Sequence, residues 1–201
     1  MKKFLPFFSY AFHPIFIPVL GTLLFLYQSP INYTPFQKGI VVFQVAIITF
    51  FLPLAFFYLL RTFGKVDTIM LSDTSQRRMP LLLQIVLTMV LISKSVTIAR
   101  LPELYFFFLA GLFSTIIALL LVFFKIKASI HMIALSAFLV FAISLSRHFQ
   151  TNGLLVVSIL VLLNGLVASS RLYMQAHTPR ELLLGFLIGF FPQFIIAFFW
   201  V

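Results

Sequence analysis

Residues 102–124 read PELYFFFLAGLFSTIIALLLVFF, with Arg100 shortly before them and Lys125 directly after. One charge, Glu103, stands at the start of the run, and none lies inside it. As a helix rising about 1.5 Å per residue, the run crosses the roughly 30 Å hydrocarbon core of a bilayer. Working outward, six more stretches reach or approach that length, at about 8–28, 39–60, 80–99, 129–146, 153–170 and 180–200. Turn chemistry separates them: Ser29-Pro30-Ile31-Asn32, Arg100-Leu101-Pro102 and Thr151-Asn152-Gly153. With 62% apolar and 9% charged residues among 201, the chain predicts an all-α polytopic transmembrane bundle of about six to seven spans. It reads as one membrane-embedded domain over 1–201, without repeats or low-complexity tracts.

Composition also narrows the function classes. The absence of cysteine removes disulfides and thiolate metal sites. A net charge of +10 would point to nucleic acid in a soluble protein. Here the basic residues stand mostly at the ends of apolar runs, so membrane lipids with anionic headgroups are the expected partner and nucleic acid is not. Four acidic residues are too few for the clusters that hold magnesium, so no metal or cofactor is expected. Met1-Lys2-Lys3 before an apolar run resembles a signal peptide. That run continues to about Tyr27 without a small-residue cleavage site and reads as a retained first helix.

The chain's chemistry is concentrated in Ser170-Arg171-Leu172-Tyr173-Met174-Gln175-Ala176-His177-Thr178-Pro179-Arg180-Glu181, between the last two apolar runs. His177 and Glu181 stand four apart and share one face of a helix, where a carboxylate orients an imidazole and raises its basicity. Arg171 adds a fixed cation whose planar fork suits phosphate. Two more polar clusters, Arg77-Arg78-Met79-Pro80 and Lys125-Ile126-Lys127-Ala128-Ser129-Ile130-His131, are each separated from the next by two spans. Two crossings return the chain to the same face, so all three clusters are expected at one end of the bundle.

These residues resemble the type 2 phosphatidic acid phosphatase superfamily, metal-independent membrane phosphatases with a histidine nucleophile. The family's third motif, Ser-Arg, five residues, His, three residues, Asp, is matched by Ser170-Arg171, His177 and Glu181. Its second, Pro-Ser-Gly-His, is matched in part by Ala128-Ser129-Ile130-His131. Of its first, a lysine, six residues, then Arg-Pro, only Arg77-Arg78-Met79-Pro80 remains, with Lys65, Lys125 and Lys127 as the lysines available to replace the missing one. The resemblance covers about 77–189. It implies that His177 attacks phosphorus in line to form a phosphohistidine, held by Glu181. His131 would protonate the leaving oxygen and then activate water. Arg171 and Arg78, with Arg77 beside it, would neutralise the equatorial oxygens, and Ser129 and Ser170 would complete the phosphate site. The implied substrate is a phosphorylated lipid: phosphatidate, phosphatidylglycerol phosphate, an isoprenyl diphosphate or a lipid A phosphate.

Three departures bear on that expectation. The first motif lacks its lysine, Ile130 replaces a glycine in the second, and Glu181 is a methylene longer than aspartate. The imperfect first and second motifs support an alternative, a catalytically silent relative that binds lipid or serves as a scaffold subunit of a membrane complex. A lipid or anion transporter is a third reading, opposed by the lack of an inverted repeat. Purely structural roles are also legible. Thr178-Pro179-Arg180-Glu181 forms a capping box, Ser129 an N-cap, and Gly185 with Gly189 a close-packing stripe. His13 reads as interfacial, His148 as solvated, and Asp67 and Asp73 as solvating the 61–79 loop. Lys2, Lys3, Arg61, Lys65, Arg77, Arg78, Lys125, Lys127, Arg171 and Arg180 fall on the motif side, against Lys38, Lys94, Arg100 and Arg147 opposite. That bias puts the motif face in the cytoplasm. Family habit puts it in the periplasm, in a bacterial inner membrane either way.

Overall fold

The computed structural model describes residues 4–66 and 75–201; Lys2, Lys3, Asp67 and Asp73 lie outside them. The described chain is an all-α bundle. Seven helical units, Leu5–Gln28, Pro35–Thr62, Arg78–Ser95, Pro102–Phe123, Ile130–His148, Leu154–Tyr173 and Pro179–Ala197, are long and apolar enough to cross a membrane. This architecture fits an integral membrane protein. We number the helices α1 (Phe4–Ala11), α2 (Ile17–Gln28), α3 (Pro35–Ala46), α4 (Leu52–Thr62), α5 (Arg78–Val90), α6 (Pro102–Phe123), α7 (Ile130–His148), α8 (Leu154–Tyr173) and α9 (Pro179–Ala197).

Prolines decide where the spans bend. Pro14 and Pro18 split the first span into α1 and α2 around a 3₁₀ turn, Pro14–Phe16, whose N-cap is His13. Pro53 follows the π-helical turn Ile47–Phe51 that joins α3 to α4. A proline in mid-helix strands the carbonyl four residues earlier. For Pro192 of α9 that carbonyl is Ile188 O, and Ser114 Oγ of α6 donates to it at 2.9 Å.

α7 is the central helix, with Leu135, Phe141, Ala142 and Leu145 wholly buried. It lies tight against α9 because of the glycine stripe. A Cβ on Gly185 would come within 2.5 Å of Ser129 O, and one on Gly189 would collide with Ile133 O and Ser136 Oγ. Close approach of this kind lets polar groups bond across the contact: Ser136 Oγ donates to Phe186 O, and Ser129 N to Glu181 O. Three helices end on a non-glycine residue in the left-handed region, Lys125 (φ 59°), Gln150 (φ 53°) and Gln175 (φ 52°). Each next residue's N–H reaches back to form the Schellman closure, as in Ala176 N to Arg171 O at 3.0 Å. The last of these turns the chain sharply after α8 and sets down His177 beside Arg171.

Candidate active site

The three polar clusters do come to one end of the bundle. A cavity of about 270 Å³ lies among the first six spans, and Arg77, His131, Arg171 and His177 all line it. Arg77 and Arg171 are 3% exposed, His131 5% and His177 7%. Burying two guanidinium groups in an apolar bundle is costly without compensating partners. One is supplied by the backbone, since Arg77 Nη1 donates to Ala128 O at 2.9 Å.

His177 is the best-defined group. Its Nδ1 lies 2.8 Å from Glu181 Oε2; a carboxylate oxygen only accepts, so Nδ1 carries the proton and Nε2 keeps the lone pair. The same carboxylate oxygen accepts from Thr178 N at 3.3 Å, while Thr178 Oγ1 accepts from Glu181 N at 3.3 Å. The capping box and the imidazole support are therefore one device, and helix formation itself fixes the tautomer. Burial is the main cause that pushes the His177 imidazole from the ordinary 6.5 down to about 4. The Glu181 hydrogen bond raises it, and the positive charges of Arg171, Arg77 and Lys127 lower it. At neutral pH the ring is an uncharged base held among cations.

His131 is fixed from the other side. Its Nε2 is 3.0 Å from Ser9 O, and since a carbonyl only accepts, Nε2 is the donor and Nδ1 remains for chemistry. Ser170 does not line the cavity; its Oγ is 2.6 Å from Ser9 Oγ, which pins α1 to α8 and so carries the carbonyl that holds His131. Ser129 sits at the N-cap position of α7, but its Oγ makes no hydrogen bond among the described residues. Lys127 Nζ donates to Ala176 O at 2.9 Å, bracing the turn that bears His177.

Ser129 and Ser170, both expected in the phosphate site, do not line the cavity, and two further placements differ from the sequence reading. Arg78 lies outside the cavity, its guanidinium 5.2 Å from the centre of the Phe123 ring, and is exposed. The cation beside the histidines is its neighbour Arg77, because α5 begins at Arg78 and turns that residue outward. His148 is not simply solvated: Nε2 is 3.3 Å from Glu103 Oε1, and its ring meets Trp200 edge-on.

Sequence reasoning also missed His13. It lines the same cavity, and its ring stands edge-on to His131 with centroids 5.2 Å apart. The signal was present in His13-Pro14, since non-helical backbone at membrane depth is tolerated where it lines a cavity. Ser9, the holder of His131, gave no signal.

The rest of the cavity is apolar in effect. Pro18, Leu54, Phe57, Leu81, Phe107, Phe108 and Ala137 form much of its wall. Its hydroxyls mostly turn back on helix carbonyls, Thr49 Oγ1 to Val45 O at 2.8 Å and Thr115 Oγ1 to Gly111 O at 2.7 Å. Among the described residues no three His, Asp or Glu side chains gather as metal ligands. The arrangement is thus a cationic pocket with one neutral, carboxylate-supported imidazole, opening into an apolar chamber. No protein-family model, curated protein or solved structure matches the chain.

Proposed function

We propose that this protein is a membrane lipid phosphatase working through a phosphohistidine, as its resemblance to the type 2 phosphatidic acid phosphatases implies. One observation carries the reading: Arg77, His131, Arg171 and His177 line a single cavity whose remaining walls are largely apolar. Such a cavity complements an anionic head joined to a hydrocarbon chain. In the proposed reaction Nε2 of His177 attacks phosphorus, and Arg171 and Arg77 balance the charge on the equatorial oxygens. His131, entering the step as imidazolium with a second proton on Nδ1, gives that proton to the departing oxygen. Water, activated by His131, then releases phosphate from His177. We place the cavity mouth at the cytoplasmic face of a bacterial inner membrane, on the Lys and Arg count.

The test is phosphate release by the purified protein in detergent with EDTA, over a panel of lipid mono- and diphosphates. Wild type should turn over, and His177→Ala and Arg171→Ala, both still folded, should fall below about a thousandth of its rate. Folded wild type that binds lipid phosphate but releases nothing would replace this reading with the silent lipid-binding one, which Ile130 beside His131 in the cavity wall favours.

A further inference from the structure

The first span reaches the cavity through its break. Pro14 and Pro18 end α1, and the exposed backbone donors of the 3₁₀ turn need a cap. His13 provides it, Nδ1 accepting from Ile15 N at 3.4 Å. An accepting Nδ1 carries no proton, so in the neutral ring the N–H is on Nε2, at the tip of the side chain.

The level of this ring in the bundle follows from its neighbours. His131 is in the first turn of α7, with His13 5.2 Å away ring to ring. His177 precedes α9, whose Glu181 carbonyl accepts from Ser129 N, one residue before α7; His177 is therefore further out than His131. Deeper in, Pro18, Gly111, Ala134 and Ala137 line the cavity. The two imidazoles thus occupy the junction between the cationic end and the apolar walls. In a lipid phosphate held with phosphorus at His177, that junction is where the oxygen bridging phosphorus and the chain must lie.

We propose that His13 is a third imidazole of the active site, donating from Nε2–H to this bridging oxygen. The inference rests on the lipid-phosphatase reading. As His177 Nε2 bonds to phosphorus, the P–O bond breaks and its electron pair leaves with the bridging oxygen. His131, protonated on both nitrogens at the start of the step, gives that oxygen its Nδ1 proton; His13 shares its developing charge through a hydrogen bond and keeps its own proton. A donor used at the departing oxygen acts in the transition state, so its loss reduces kcat more than it raises KM.

Two substitutions separate this role from capping. His13→Asn keeps an acceptor for Ile15 N, asparagine being a favoured N-cap, but has no donor at the Nε2 position. His13→Gln restores a tip N–H with a poorer cap. With folding checked by thermal unfolding in detergent, His13→Asn should lose about 10- to 100-fold in kcat with KM little changed. His13→Gln should recover part of that loss. Full kcat in His13→Asn, with wild type active and His177→Ala dead, overturns the inference and leaves the phosphatase reading standing. If His13→Asn does not fold, absence of kcat in folded His13→Gln overturns it. No turnover by wild type removes both together.

Discussion

His177 makes its titration a test of the proposed role. Its imidazole is held down at about 4, mainly by burial and further by Arg171, Arg77 and Lys127. In the proposed reaction the neutral His177 ring is the nucleophile and His131 must carry a proton, so kcat/KM for phosphate release should not fall as pH drops through 6.5 and should decline only near pH 4. Stability has the same sign. The unfolded chain binds a proton near the ordinary value and the native state does not, so the contribution is present above about 6.5 and lost as pH falls to about 4. Thermal unfolding in detergent from pH 7.5 to 4.5 should therefore fall less steeply for His177→Ala than for wild type. Glu181 offers a sharper substitution. Glu181→Gln keeps an acceptor for His177 Nδ1 and for Thr178 N, so the helix start should persist, but the negative charge is gone. Phosphate release should drop about 10- to 100-fold with little change in the unfolding temperature. An unchanged rate would leave Glu181 a cap and nothing more.

The elements hold the site through α7 and α9. His131 opens α7, Glu181 opens α9, and the Ser129 N to Glu181 O bond joins the two starts at 3.1 Å. The distance between them is set by glycines whose missing side chains allow backbone contact. Gly189→Ala would drive a methyl into Ile133 O and Ser136 Oγ, both on α7. Overpacking of this order costs about 1–3 kcal/mol, and it would also part the two starts. The variant should unfold at lower temperature in detergent than wild type. Gly165 of α8 is the control: a Cβ there meets nothing within 4 Å. Gly165→Ala should be neutral or stabilising by up to about 1 kcal/mol. Equal effects from the two would mean that α9 does not depend on the stripe.

At the scale of the molecule, the spans were legible because hydrocarbon thickness is a length constraint that apolar runs report directly. The sequence segment at 102–124 and α6, Pro102–Phe123, differ by one residue. The convergence of Arg77, His131, Arg171 and His177 was legible from parity alone, since each pair of crossings is a topological fact. What parity does not carry is rotation about a helix axis, and this is why Arg78 and Arg77 exchanged places. Nor does it report a helix break that brings a histidine in from the side, which hid His13. The side on which the cavity opens is a matter of orientation in the membrane, and here composition supplies the experiment. The chain has no cysteine, so a single one introduced at Gln175 or Lys125 labels without background. Both residues end helices on the motif side, α8 and α6 respectively, while Gln150 ends α7 at the opposite face. If the Lys and Arg bias sets orientation, an impermeant maleimide applied to intact cells should label Gln150→Cys and spare Gln175→Cys and Lys125→Cys until the membrane is opened. The reverse pattern would put the cavity mouth on the side away from the cytoplasm.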